Sequence, residues 1–86
     1  MKQLEKILKA IGNKRRLAIL SYLKKNNEAT VGEIAGAIKL SFSATSRHLL
    51  ILFNVDIVDK EQRSLEMYYS LSKKLERIAS KIIEEL

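Results

Sequence analysis

The 86-residue sequence contains no cysteine and only one histidine, His48. Disulfides, thiolate metal sites and cysteine redox chemistry are therefore excluded for these residues. Soft divalent metals need nitrogen or sulfur ligands, so we expect no metal site, and we expect no cofactor. The sequence also lacks a glycine-rich phosphate loop and a paired arrangement of carboxylates, and we therefore expect no enzyme activity.

Proline is also absent, the three glycines are scattered, and no apolar run approaches the 18 or so residues of a membrane span. Without a low-complexity or Ser/Gly-rich segment, the sequence offers no linker and no internal repeat. The first 14 residues show no signal-peptide cleavage pattern. We expect a single cytoplasmic domain over residues 1–86 that has no membrane partner.

Basic residues outnumber acidic ones by 16 to 10, which gives a net charge of +6. These cations are spread along the chain, and such a field favours anionic partners, nucleic acid before an anionic membrane. A domain of this size buries only about 60 to 65% of its unfolded surface, so a second subunit would add needed stability.

Residues 30–53 have the pattern of a helix-turn-helix. Thr30 and Glu33 form a capping box before a run of apolar residues at helical spacing, and Ser41 can cap a second helix over residues 41–53. The inward face of this second helix is predicted to carry Phe42, Thr45, Leu49 and Leu52. Its outer face is small and polar with one arginine, which suits close approach to the major groove and donation to guanine. The predicted DNA contacts of this recognition helix are Ser41, Ser43, Ala44, Ser46, Arg47 and His48. The alternative is a pair of ordinary amphipathic helices with a solvated polar face.

Two further helices are predicted before this pair. The first, over about residues 2–11, is amphipathic, and Asn13 can cap the second, whose apolar side is predicted to include Leu17. Cations in the first turn of the second helix oppose the helix dipole, and a DNA phosphate would relieve that. Lys14 and Arg15 are therefore candidates for contacts with the DNA backbone. The alternative is that both side chains are simply exposed to solvent.

Beyond the helix-turn-helix the period changes from helical to alternating. Every second residue of 65–71 is apolar, beginning with Leu65, which predicts a half-buried strand. Ile57 and Val58 begin a partner strand, and the charged residues 59–64 are predicted as the hairpin tip. The whole pattern predicts a winged helix, mostly α with a small β-hairpin wing, in the order α-α-α-α-β-β-α. The candidate wing contacts are Lys60, Gln62, Arg63 and Ser64. An ordinary solvated turn is the alternative, because acidic neighbours partly offset the charge.

The last segment, residues 73–86, carries an apolar stripe opposite its charged residues. This stripe and that of the first helix could cover the domain's own core or pack against a second copy. We favour a homodimer, because a two-fold axis would present two recognition helices to successive major grooves. The predicted interface residues are Leu4, Ile7, Leu8, Ile11, Leu75, Ile78, Ile82 and Leu86.

Three segments in order resemble the ArsR/SmtB family of winged-helix repressors. They are LKAIGNKRRLAILSYL, LSFSATSRHLLIL with its Ser-Arg-His-Leu core at residues 46–49, and the strands that run from Ile57 to Leu71. The resemblance covers about residues 8–71. It implies that the helix over 41–53 reads double-stranded operator DNA, that the terminal helices form a homodimer, and that the protein represses transcription.

The departures from this family are informative. Metal-sensing members carry a cysteine motif before the turn, where this chain has TVGEI, and others use histidine in the final helix, where this chain has carboxylates only. Ser64 and Asp56 occupy wing positions where the family usually has glycine. Leu50 and Ile51 make the second half of the recognition helix unusually apolar. These features leave a protein-interaction or RNA-binding module as the alternative function, and the sequence specifies no effector.

Overall fold

The computed structural model describes residues 2–78. Four helices and three strands follow in the order α1 (Lys2–Ile11), α2 (Lys14–Asn26), β1 (Glu28–Thr30), α3 (Val31–Ile38), α4 (Phe42–Asn54), β2 (Val58–Arg63) and β3 (Glu66–Leu71). Residues 75–78 begin a further helix. The predicted class, a mostly helical winged helix-turn-helix with a small hairpin, is confirmed. Ile82 and Leu86 lie outside the described residues.

The helix boundaries are set by the caps that the sequence predicts. Asn13 Oδ1 accepts from the backbone N–H groups two and three residues on, at 2.9 and 3.1 Å. Thr30 and Glu33 form both bonds of the capping box, and Ser41 Oγ accepts from the N–H three residues on at 3.1 Å. Each cap contributes about 1 kcal/mol to helix stability, so the start of α4, the predicted recognition helix, is determined by neighbouring residues.

Strand β1 was not predicted. It pairs antiparallel with β3, which gives the sheet order β1-β3-β2 and places Glu28 opposite Ser70. The chain enters β1 through Asn27, whose φ of 61° and ψ of −49° form a positive-φ turn conformation that residues with a side chain rarely adopt. Three residues are too few to show an alternating pattern, so no periodicity in the sequence predicts this strand.

The predicted hairpin tip over residues 59–64 is wrong in extent. Residues 59–63 continue β2, and the register ends at the pair Arg63 and Glu66, so the turn consists of residues 64 and 65. Leu65, expected on the buried side of a strand, is instead 95% exposed in that turn. The outer half of β2 is exposed on both faces, so burial imposes no apolar alternation there.

The two positions at which the sequence departs from the glycines that the resemblance implies adopt a glycine-like backbone. Ser64 has a φ of 56° and Asp56 a φ of 62°. A residue with a Cβ pays about 1–2 kcal/mol for this conformation, less for aspartate, whose short polar side chain can bond locally. The hairpin forms without glycine, at the cost of strain at its tip.

The core lies between the four helices and the inner part of the sheet, with α1 contributing Ile7 and Ala10. The fully buried larger side chains are Ile19, Leu23, Ile34, Thr45, Leu49, Leu52 and Val58. Two expected core residues are exposed instead: Leu17 at 52% and Phe42 at 62%, because each lies in the first turn of its helix, where the core no longer covers it. Within residues 2–78, no helix is long and apolar enough to cross a membrane.

Candidate nucleic-acid interface

Helix α4 separates a core side from a solvent side. Its buried residues are Thr45, Leu49 and Leu52, as the sequence predicts. The predicted contact residues fall on the other side in two groups: Ser41, Ser43 and Arg47 are exposed, and Ala44, Ser46 and His48 are partly buried. The first two turns of α4 therefore present short side chains and one guanidinium to solvent.

The guanidinium of Arg47 is available to an external partner. The ion pairs among residues 2–78 involve only the cations Lys9 and Arg63, so no carboxylate of that region neutralises Arg47. An exposed, planar fork of donors on a helix face with small neighbours has the geometry for bidentate donation to a guanine edge.

His48 differs from its neighbours because its ring faces another arginine of the same chain. Arg16, in the first turn of α2, donates through Nη1 to His48 Nδ1 at 3.1 Å. The same guanidinium donates to the backbone carbonyls of Lys9, at 3.2 Å, and Ala10. Since arginine is always protonated, Nδ1 is the acceptor and the proton of the neutral ring lies on Nε2.

The environment of His48 favours this neutral ring. Burial lowers the pKa of His48 below its ordinary value, and the cations Arg16, Arg47 and Arg15 lower it further. Both causes penalise the charged form, the first by desolvation and the second by repulsion. The histidine of the recognition helix is therefore an uncharged acceptor near neutral pH, and its Nδ1 is occupied within the chain.

Lys14 and Arg15, which were predicted to contact the DNA backbone, are both exposed in the first turn of α2. Together with Lys25 they line an open groove between α2 and the end of α3, next to Tyr22 and Ile38. This groove carries three cations and no carboxylate among its lining residues, so it is an electropositive surface suited to phosphate.

Arg63, which was predicted to contact DNA from the wing, instead pairs with residues of its own chain. Its guanidinium reaches Glu28 of β1 with two bonds of 2.9 and 2.7 Å and Glu61 Oε1 at 2.8 Å. It also lies 4.7 Å from the ring centroid of Tyr68. Arg63 therefore adds no net positive charge to the wing, because the two carboxylates that it contacts carry more negative charge than it carries positive charge.

The pKa values of this wing clamp, Arg63 with Glu28 and Glu61, express the same pairing. The hydrogen bond from Arg63 lowers the pKa of Glu28 below the ordinary range of a glutamate. The hydrogen bonds to Glu28 and Glu61 raise the pKa of Arg63. All three side chains are largely exposed, so the clamp is screened by salt. Its structural effect is to tie the outer part of β2 to the start of β1.

The other predicted wing residues also make contacts within the chain. Lys60 Nζ lies 4.3 Å from the centroid of the Phe53 ring, a cation–π contact that joins the wing to the recognition helix. Gln62 Nε2 donates to the backbone carbonyl of Ser64 at 3.0 Å and so closes the turn. Lys60 remains exposed, and its charge is the wing's best candidate for a phosphate contact.

The predicted dimer residues divide between core and surface. Ile7 is only 5% exposed and belongs to the core of its own chain, whereas Leu8 is 47% exposed. Leu4 and Ile11 are partly buried, as are Leu75 and Ile78 at the limit of the described residues. An apolar groove runs along this side; its lining includes Ile7, Ile11, Leu17, Leu20, Ile57, Leu71, Leu75 and Ile78.

Leu50 and Ile51 are 51% and 41% exposed on the solvent side of α4. They form an apolar continuation of the polar face that precedes them.

The part of the chain that the structure describes contains no cluster of three or more histidine or carboxylate side chains that could hold a metal ion.

Sequence comparisons place this geometry among known regulators. A family model described as the arsR family of bacterial regulatory proteins matches residues 13–60. The transcriptional activator HlyU of Vibrio cholerae is 41% identical over 66 residues, which cover 77% of this chain and 60% of HlyU. The regulator YgaV of Escherichia coli is 32% identical over 65 residues, 76% of this chain and 66% of YgaV. The chain thus spans slightly less than two thirds of each of these curated relatives.

Solved structures agree over almost the whole chain. HlyU from Vibrio cholerae superposes with a TM-score of 0.78 at 32% identity and covers 98% of this chain and 90% of that one. A homodimeric winged helix-turn-helix DNA-binding domain from Mycobacterium bovis gives 0.80 at 25% identity, covering 99% and 85%. With a family model that matches more than half of its 86 residues, the chain belongs to the arsR family of bacterial regulatory proteins.

Proposed function

We propose that this chain is a sequence-specific, double-stranded DNA-binding transcriptional regulator. The observation that carries the proposal is the solvent face at the start of α4, where Arg47 stands among small polar side chains and no described carboxylate neutralises it. Arginine on such a face can read guanine through O6 and N7. The relatives named as transcriptional regulators support the same function.

The remaining contacts of the proposal are to the DNA backbone. Lys14 and Arg15 at the start of α2 and Lys60 on the wing are exposed cations outside the recognition helix. We assign them to phosphate, where they position the protein and make binding sensitive to salt. Ser41, Ser43, Ala44 and Ser46 belong to the approach face of α4. Gln62, Arg63 and Ser64 act within the wing, so their part in DNA binding is to shape it.

The proposed working form is a homodimer, with the terminal helices at its interface. The relative from Mycobacterium bovis that is described as homodimeric supports this assembly. The exposed Leu8 and the apolar groove beside Leu75 and Ile78 supply surface for a second copy. Leu8→Glu changes an exposed position, so sedimentation should report monomers while circular dichroism reports an intact fold. A wild-type monomer at tens of micromolar would contradict the dimer.

Family membership does not fix the direction of regulation. The curated HlyU relative is named an activator, so the expectation of a repressor stays a prediction. We place the protein in the bacterial cytoplasm, where chromosomal DNA is found, and assign it no catalytic step.

The test of the proposed function is a search for a preferred site. Purified protein selects fragments from a genomic library, and its affinity for the selected duplex is then compared with that for a scrambled duplex. A regulator should bind the selected site about 10³-fold or more tightly than the scrambled one. Equal affinity for the two duplexes would contradict the proposal.

A second candidate function rests on the exposed pair Leu50 and Ile51. An apolar patch on a helix face is typical of a protein-binding module, and a winged helix can serve that role. Leu50→Ser together with Ile51→Ser should leave DNA affinity intact if DNA is the partner. The second candidate is favoured if the wild type prefers no duplex and binds a protein partner that the folded double variant no longer binds.

A further inference from the structure

Arg16 joins three helices at one point. It stands in the first turn of α2, bonds the carbonyls of Lys9 and Ala10 near the end of α1, and reaches His48 in the middle of α4. The last carbonyls of a helix have no partner in that helix, and a cation is favoured there by the dipole. One guanidinium therefore both caps α1 and supplies a donor to the recognition helix.

The geometry of this link requires arginine. Its guanidinium spreads donors over a rigid plane, so Nε and Nη2 can hold two carbonyls while Nη1 holds the imidazole. A lysine has the same charge but a single nitrogen, which cannot span these acceptors at once. Charge and geometry can therefore be separated by one substitution.

His48 is one residue from Arg47, the residue to which we assign the base contact, on the same turn of α4. A shift of the His48 ring relative to α1 and α2 moves the Arg47 side chain with it, because both are carried by one rigid helix. Base readout is sensitive to such shifts, since bidentate bonds need alignment, whereas phosphate contacts tolerate them.

We propose that Arg16 is a positioning residue: by holding His48 and the end of α1 together, it sets the orientation of the recognition helix and thereby the affinity for the preferred DNA site. This inference rests on the proposed function, because it concerns the same DNA-reading helix. It assigns Arg16 no contact with DNA.

The link depends on a neutral His48, which makes it sensitive to pH. The charged groups that act on His48 are Arg16 and Arg15 of α2 and Arg47 of α4, and Lys6 and Lys9 of α1 line the adjoining groove. All are cations. Protonation removes the acceptor at Nδ1 and adds a further positive charge beside Arg16. As the pH falls below the ordinary pKa of histidine toward the lowered one, the link weakens and specific binding declines.

The first experiment separates geometry from charge with three variants. Arg16→Lys keeps the charge and loses the link, His48→Leu removes the acceptor, and His48→Asn keeps a neutral acceptor oxygen near the place of Nδ1. Arg77→Lys, at an exposed position of the last described helix, is the matched control. Each is titrated on the preferred and the scrambled duplex, at two salt concentrations, below the melting temperature recorded by circular dichroism.

The positioning role predicts a loss confined to the preferred duplex. Arg16→Lys and His48→Leu should lower the ratio of preferred to scrambled affinity by at least about fivefold, a modest value for a bond to a charged group. The salt slope and the affinity for scrambled DNA should stay unchanged, and His48→Asn should retain most of the ratio. A ratio unaltered in Arg16→Lys would overturn the inference, as would equal losses on both duplexes.

The pH dependence of the affinity ratio distinguishes positioning by Arg16 from a general effect of Arg16 on stability, because only the former depends on the protonation of His48. The wild-type ratio should fall as the pH is lowered from neutral past the ordinary pKa of histidine and through the depressed pKa of His48, whereas the ratio of His48→Asn should stay flat over the same range. If His48 touched phosphate instead, acidification would raise the affinity for both duplexes alike. Parallel profiles for the wild type and His48→Asn would contradict the role assigned to the link.

A measurement without DNA keeps this inference distinct from the proposed function. Residual dipolar couplings of the backbone amides report the angle between α1 and α4 in the unbound protein. Arg16→Lys should change that angle, and His48→Asn should not. If the wild type prefers no DNA sequence but the angle changes as expected, the proposed function fails and the positioning by Arg16 stands. An unchanged angle in Arg16→Lys refutes the positioning itself.

Discussion

The wing clamp gives a prediction that runs against the usual effect of breaking an ion pair. Glu28 and Glu61 together hold Arg63, so the clamp carries one positive and two negative charges near the proposed DNA surface. Glu28→Gln removes one of the two carboxylates that hold the guanidinium, the one with contacts of 2.7 and 2.9 Å, while leaving Glu61 and the backbone ladder of β1 and β3 in place. We expect this substitution to release Arg63 toward a DNA phosphate and to strengthen binding to all sequences.

The size of the effect follows from counterion release. One added phosphate contact steepens the dependence of log affinity on log salt by about 0.9, so a fourfold rise in salt should weaken the variant about 3.5-fold more than the wild type. Fluorescence anisotropy on a scrambled duplex between 50 and 200 mM salt, roughly the range over which such slopes are resolved, measures this directly. Glu66→Gln is the matched control, because it removes the same charge from the same sheet but no ion partner of Arg63. Parallel salt slopes for the two variants would refute the release of Arg63.

Two further predictions concern stability. The Thr45 hydroxyl is fully buried and has no hydrogen-bond partner among the described atoms, so Thr45→Val should raise stability by about 1 kcal/mol, an increase of about 4–8 °C in melting temperature. DNA affinity should not change, because this side chain faces the core; a lower melting temperature would show that the hydroxyl is satisfied. Ser64→Gly should stabilise the wing by up to about 1 kcal/mol, since it relieves the left-handed strain at the turn. Thermal unfolding checks this, and a less stable variant would mean that the added freedom of the unfolded chain outweighs the strain.

Local signals in the sequence predicted the helices and the core side of α4. The capping residues Asn13, Thr30 and Ser41 lie within three residues of the groups they bond, and helical spacing identifies Leu49 and Leu52 as buried without reference to the rest of the chain. The helix-turn-helix could therefore be placed correctly from the sequence.

The interactions that the sequence did not predict join distant parts of the chain. Arg16 and His48 are separated by 32 residues, and Arg63 and Glu28 by 35. Arg16 follows two other basic residues and Arg63 lies in a charged stretch, so in the sequence each resembles a solvated or DNA-binding cation. Only the fold brings the acceptors to them, through the crossing of α2 and α4 in one case and the unpredicted β1 in the other.

The central claim is that the exposed face at the start of α4 reads base sequence. Titration of Arg47→Ala on the preferred and the scrambled duplex tests it most directly, with Arg77→Ala as the control for loss of one positive charge. We expect a loss of about 1–3 kcal/mol on the preferred duplex and much less on the scrambled one. Equal losses on the two duplexes would mean that Arg47 holds the DNA backbone, and would contradict the assignment of this face to sequence readout.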